Sequence, residues 1–518
     1  MKTTRVYMLG GLCSALAVAC GSGGQPPSGA AGTTATTAGS SGNAGDGGTA
    51  TNGGTTGTAG SMQTTAGQTT AGAGAGSGGA TGGGGGGAGG PPEPPGIYAV
   101  GSCSEQTLRT APPAGKEMFK NAPIDTKFAF SEHWVGEWIA GTDPSRIGMQ
   151  TLADLDNDGD LDFASGQRNT LPGGMVWWEQ CSADHWVGHK VGTGHKSQSS
   201  GDALDVDGDG LNDLLCGDSW YKNPGKSREM DWPRFAVGTP AAEELTVGDV
   251  TGDGKAEIFY VDLPFNPQWW SPGPTPEKAF VKGGELTHPI QQGVAWGDLN
   301  GDGANDYLLS KDYWFENNGK GTAFTEHAIT ATAAFVDSQP LTYIGDLDGD
   351  GDNDFAMSTH WLGANSTSRL AWVENKDGKG VTWVLHQLSD QHHWTHGVIL
   401  ADFDNDKDLD ILWAQNIGPS FIFENTDGHA TFVEHKIVED FRGHTPRAGD
   451  VDCDGDLDIV GSPWGDRGQA SSGETVGMPA RDVLYLQNMT VEHGGPAIFD
   501  AARKPNELGW PEKPHCKK

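Results

Sequence analysis

Residues 205–213 read DVDGDGLND. Acids at positions one, three, five and nine, with a glycine at six, recur along the chain with single replacements. The copies are DLDNDGDLD from Asp154, DLNGDGAND from Asp298, DLDGDGDND from Asp346, DFDNDKDLD from Asp402 and DVDCDGDLD from Asp450. A weaker copy, DVTGDGKAE, starts at Asp249. Successive first aspartates lie 44 to 56 residues apart. That is the length of a four-stranded propeller blade, and an internal period decides architecture before local propensity does.

Each period repeats the same strand signals. An apolar-alternating run leads into the ladder, as in LTVGDV and GVILAD, and a short strand leaves it, as in LDFASG, NDLLCG and LDIVGS. A third strand is aromatic (MVWWEQ, SWYKNP, YWFENN, LAWVEN, FIFENT, VLYLQN) and a fourth carries histidine (HWVGHKV, FTEHAI, WVLHQL, FVEHKI). Period-two alternation with β-branched and aromatic residues predicts strands throughout. The fourth-strand pattern also stands before the first ladder, as HWVGEWIAG from His133, and no good copy follows the last aromatic strand. The ring is therefore expected to close with the strand near 133–140 completing the last blade. The fold class is all-β, a seven-bladed β-propeller over 131–488, with flanking arms at 96–130 and 489–518.

The ladder has the chemistry of a calcium loop. Ca²⁺ takes six to eight oxygens at about 2.3–2.6 Å. Alternate side chains turn inward around one point, the glycine allows the sharp turn, position seven offers a carbonyl and position nine returns a carboxylate. An EF-hand would need Glu at position twelve, where this chain has Ser165, Cys216, Tyr260, Leu309, Met357, Trp413 and Gly461, and its flanks here are strands. The expected metal ligands in the first two loops are Asp154, Asp156, Asp158, Asp162, Asp205, Asp207, Asp209 and Asp213. The third and fourth supply Asp249, Asp253, Glu257, Asp298, Asn300, Asp302 and Asp306. The last three supply Asp346, Asp348, Asp350, Asp354, Asp402, Asp404, Asp406, Asp410, Asp450, Asp452, Asp454 and Asp458. Loops at Asp154, Asp205, Asp346 and Asp450 are complete. Asn300 weakens the fourth, Lys407 replaces the turn glycine of the sixth and calls for another backbone solution, and Thr251 with Glu257 makes the third the poorest.

Ladders, W-x-E-N third strands and F-x-E-H fourth strands together resemble the FG-GAP/VCBS repeat family. The resemblance covers about 130–488. It implies an integrin-alpha-like seven-bladed propeller with Ca²⁺ as cofactor in the loop joining each blade's first two strands. It implies little about activity, since adhesins, receptors and enzyme domains share the repeat.

The ends describe delivery. Lys2, Arg5, the apolar run 6–19 and Cys20 after LAVA resemble a bacterial lipoprotein signal, which implies a lipidated Cys20. Gly21 points to the outer membrane and the cell surface. Residues 20–95 are rich in Gly, Ala, Thr and Ser, cannot bury a core and read as a disordered tether. Its reach is about 50 Å. A formal charge of −35 argues against nucleic acid and anionic lipid surfaces as partners, and the ladders hold 30 of the 68 acids. Cys103, Cys181, Cys216, Cys453 and Cys516 follow Cys20; a Cys103–Cys516 bridge would tie the ends of the repeat region.

No Walker loop, G-x-S-x-G or H-E-x-x-H motif is present. The face opposite the ladders gathers Trp361, Trp394, His396, His444 and Arg447, with His396 and His444 each six residues before a ladder. Three readings stand there: a rim of satisfied polar loops, a surface for a glycan or protein ligand, and a metal-bearing sugar lyase. The last is prompted by similarity to fungal aldos-2-ulose dehydratases, whose cupin domains this chain lacks.

Overall fold

The computed structural model describes residues 102–105, 114, 122–137, 147–197, 201–238, 243–253, 255–261, 266–275, 278–290, 292–335, 341–359, 367–393, 395–416, 418–441, 443–462 and 482–495. Within them the chain forms seven antiparallel sheets of four strands, and the innermost strands touch in cyclic order. We number the blades by their ladders. Blade five is typical, with strands Leu341–Gly345, Asp354–Ser358, Leu370–Asn375 and Trp383–Ser389 from the axis outward.

One register governs every blade. The residue before the first ladder aspartate pairs with residue nine: Ala153 with Asp162, Leu204 with Asp213, Gly248 with Glu257, Gly297 with Asp306, Gly345 with Asp354, Ala401 with Asp410 and Gly449 with Asp458. Each ladder is thus a hairpin connection of fixed length between first and second strands. In six of the seven blades the residue before it is Gly or Ala, and only blade two places a larger residue, Leu204, there. A Cβ on Gly345 would lie 2.7 Å from Leu409 Cδ1 of blade six.

The hydrophobic core lies between blades. Each of seven buried clusters draws on two neighbouring blades; one joins Leu347, Ala356 and Trp372 of blade five to Leu400, Ile411 and Phe423 of blade six. A single blade has no interior of its own, so ring closure matters, and it occurs as the pattern at His133 predicts. Strand Phe130–Glu137 pairs with Asp482–Asn488 and supplies the outer strand of blade seven.

The flanking segments are pinned to the ring. Cys103 is bridged to Cys181, not to Cys516, and its N–H donates to Glu179 of blade one at 2.8 Å. The sequence holds no distance information that could choose among the cysteines. Cys453 is also disulfide-bonded, and Cys516 lies outside the described residues.

Candidate metal loops and the opposite face

The loops are built first by hydrogen bonds. Position four takes a left-handed backbone in every blade, at Asn157, Gly208, Gly252, Gly301, Gly349, Asn405 and Cys453 (φ 61–76°). Backbone N–H groups of positions four to six then donate to the first carboxylate, as Gly349 and Gly351 do to Asp346 at 2.8 and 3.1 Å. Lys407 finds no new solution. It adopts φ 88° and donates to Asp402 Oδ2 at 2.9 Å, as Gly210 does to Asp205. The position requires the left-handed region, not glycine itself, and the surrounding bonds hold a lysine there.

Position nine closes the hairpin. Its Oδ2 accepts from the N–H of position two, as in Leu155 to Asp162 (2.9 Å), Leu299 to Asp306 (3.0 Å) and Phe403 to Asp410 (3.0 Å). Its Oδ1 accepts from a third-strand N–H, that of Asn223, Asn317, Asn375, Asn425 or Asn488. The same asparagines reach backward across the ring. Asn375 Nδ2 donates to Leu299 O of the preceding loop at 2.9 Å, and Asn223, Asn317, Asn425 and Asn488 repeat the bond to Leu155, Val250, Leu347 and Phe403. The N of W-x-E-N is therefore a clamp between consecutive loops. The E pairs with the fourth-strand histidine: Glu179 with His189, Glu316 with His327, Glu374 with His386 and Glu424 with His435, at 2.8–3.0 Å.

Positions one, three and nine converge on one point. Carboxylate oxygens of Asp154, Asp156 and Asp162 lie within 4.8 Å of one another, as do those of Asp205, Asp207 and Asp213 and of Asp346, Asp348 and Asp354. These clusters can hold a metal ion. Position seven was missed by the sequence reading, which assigned it only a carbonyl. In four loops it is Asp160, Asp352, Asp408 or Asp456, and in each a buried Oδ1 has no hydrogen-bond partner. Burial first, then neighbouring carboxylates, push these groups up to about 8, 6, 7 and 8. A buried carboxylate oxygen without a donor costs several kcal/mol unless a cation meets it. The donor set is all oxygen, which suits a hard divalent cation such as Ca²⁺. The signal was present as a fifth alternate acid in D-x-D-x-D-x-D-x-D.

The antiparallel order puts the opposite ends of the inner strands on the other face. Trp361 and Trp394 lie outside the described residues. His396 and His444 do meet: their rings stack with centroids 3.9 Å apart, and both are buried. Arg447 is half-buried at the axis, with its field on Asp202, Glu244 and Tyr343 from blades two, three and five. Nearby, Arg168 pairs with Glu243 through both carboxylate oxygens, at 2.7 and 2.9 Å. His195 is buried against Tyr221 Oη (2.9 Å) and Gln167 O (3.0 Å).

Ring and loops together define a seven-bladed propeller with an acidic hairpin loop in every blade. Residues 205–260, 346–413 and 402–461 match the FG-GAP-like repeat. Those stretches of the propeller thus resemble FG-GAP-like repeats. Among solved structures, the Vibrio cholerae biofilm matrix protein Bap1 is similar at 12% identity and TM-score 0.34, covering 69% of this chain and 70% of that one. The WD40 domain of Toxoplasma gondii coronin is similar at 10% identity and TM-score 0.41, covering 68% and 83%. No curated protein matches the chain.

Proposed function

We propose that this chain is a calcium-stabilised binding propeller, tethered to the outer membrane through a lipidated Cys20, that engages a glycan or protein ligand with the face opposite its ladders. The observation that carries the calcium part is the oxygen-only clustering of positions one, three and nine, with orphaned position-seven oxygens in the same loops. Asp154, Asp156, Asp160 and Asp162, and their equivalents in the other loops, would hold the ion. It supplies charge neutralisation and rigidity there, not chemistry. The carboxylates of the ladder face are then committed to the ion, which leaves the other face for a partner. Its second-to-third and fourth-to-first connections vary most between blades in sequence, and variable loops on a rigid scaffold are where binding sites concentrate.

A glycan-array screen of residues 96–518 with and without Ca²⁺ tests the reading. Binding is expected in calcium, and replacing Trp394, His396 and His444 together should abolish it while calcium-dependent melting is unchanged. Binding that survives this replacement places the ligand elsewhere. One observation favours a second reading, a sugar lyase with metal at the channel mouth: the His396–His444 contact. Consumption of a sugar in the same screen selects it.

A further inference from the structure

The seven loops differ in the cation that the protein itself brings to them. In blades one and six, a basic side chain spans the position-three aspartate and the third-strand glutamate. Arg228 contacts Asp156 and lies 2.7 Å from Glu179, and Lys127 lies 2.6 Å from Asp404 and 3.0 Å from Glu424. Each of these loops keeps five acids and a glutamate besides its one protein cation. Blade two departs from this scheme. The residue at the end of its third strand, before Asn223, is Lys222, where five of the other six blades have Glu179, Glu316, Glu374, Glu424 or Gln487 and blade three has Ser271. Its ammonium lies 2.6 Å from Asp209 Oδ2 and also contacts Asp207 Oδ2, positions five and three of the ladder. Loop two has Leu211 at position seven, so it lacks the fifth acid as well. Of its four carboxylates, Asp213 already accepts backbone N–H groups from Val206 and Asn223.

We propose that Lys222 is a resident cation of loop two. The ammonium holds Asp207 and Asp209 together without metal, so the loop keeps its shape in a chelator. Calcium enters only after the lysine leaves, which makes this the weakest calcium loop among those with a full D-x-D-x-D-G sequence. The calcium clause rests on the proposed function above; the resident-cation clause does not. Calcium affinity in oxygen loops is set by charge count, over orders of magnitude. One protein cation in place of one acid therefore weakens loop two about tenfold against the loop at Asp346.

The test is hydrogen exchange read by mass spectrometry on the mature chain, in EDTA and across a calcium titration. Peptides over 346–354 should gain protection with calcium, while those over 205–213 should be protected already in EDTA and change little. Equal calcium-induced protection of both overturns the proposal. Lys222→Ala should strip protection from 205–213 in EDTA, and unchanged exchange there overturns the resident-cation clause whatever calcium does. Lys222→Glu should make 205–213 calcium-dependent with a midpoint about tenfold below the wild-type loop's. If 346–354 ignores calcium, the calcium reading itself fails, and the alanine variant still decides the lysine's role. Lys222 is partly exposed, and far-UV circular dichroism checks that both variants keep the ring.

Discussion

Asp456→Asn should act with opposite sign in chelator and in calcium. Asp456 fills position seven of the last loop, is fully buried, and has Oδ1 without a hydrogen-bond partner. Its Oδ2 accepts from Val491 N–H at 3.0 Å, a bond that the amide oxygen of asparagine can keep. Burial, then Asp454 and Glu492, push its carboxyl up to about 8. That is about four units above the ordinary value, and each unit is about 1.4 kcal/mol. Neighbouring carboxylates share the proton, so roughly half survives, on the order of 3 kcal/mol of destabilisation near pH 8 without metal. The neutral amide removes it. An unfolding entropy of about 2.1 cal/mol/K per residue over roughly 360 propeller residues converts this to a rise of about 4 °C in Tm in EDTA.

Calcium should reverse the comparison, because under the proposed function the variant has lost one anionic ligand. If calcium is present at about a hundred times Kd, it contributes about 2.7 kcal/mol at that loop; a tenfold weaker site contributes about 1.4. Differential scanning calorimetry of both proteins at pH 8, in EDTA and in 10 mM CaCl₂, reads the two increments directly (about 10 mM is a hundredfold over the tight end of extracellular sites). The variant should melt higher in EDTA and gain less from calcium. A variant that melts lower in EDTA and keeps the full calcium increment would refute the assignment of position seven as a ligand.

Asn375→Ala should cost about 3 kcal/mol in EDTA and calcium alike, because its side chain donates to Leu299 O and Asn353 O and accepts from Gly380 N–H in a buried site. Asn318→Ala, by contrast, should cost about 1 kcal/mol in the same denaturant titration, because its turn bonds to Lys320 and Thr322 are exposed. Asp160, Asp354 and Asp456 are each pushed up to about 8 by burial and crowding. Their folded values lie above the ordinary carboxylate value, so the fold favours the protonated form. That stability is complete below about pH 4 and is lost as pH rises through about 8, so the metal-free Tm should fall across this window. Calcium takes the ionised form, so its increment should grow from pH 5 to pH 8; a flat increment in calorimetry contradicts this. Cys20→Ala should release the protein from the outer-membrane fraction, and continued partitioning on membrane fractionation defeats the lipid anchor.

The fold was legible because the ladder recurs at blade length and because its register is fixed at both ends. The residue before it and the residue at position nine pair in every blade, so seven copies of the motif dictate seven hairpins of one register. Closure was legible from a stray fourth-strand pattern at His133. The loops were only half legible. Position nine reads as one more ligand, yet its oxygens already hold two backbone N–H groups, one from a residue 10 to 30 positions further on. Nothing in the spacing of the acids shows that partner. Lys407 misled in the other direction: a turn glycine marks a backbone conformation, and enough hydrogen bonds can impose it on another residue. The Cys103–Cys181 bridge depends on where the arm before the first strand lies against blade one, and no periodic signal records that.

The acids of this chain therefore do two jobs that composition alone merges. Position nine is structural without metal: it closes its hairpin and orients the asparagine whose amide clamps the preceding loop. Positions one, three and nine gather their oxygens within 4.8 Å in loops one, two and five, and in loops one, five, six and seven a buried position-seven oxygen has no hydrogen-bond partner. The clamps run from one loop to the next, so neutralising one loop should stiffen its neighbours through Asn223, Asn317, Asn375, Asn425 and Asn488. Calcium dependence should then be cooperative around the arc of blades five to seven, where three five-acid loops are joined by Asn425 and Asn488. It should be weakest at blades two to four, where Lys222, Thr251 and Asn300 have each replaced or neutralised an acid.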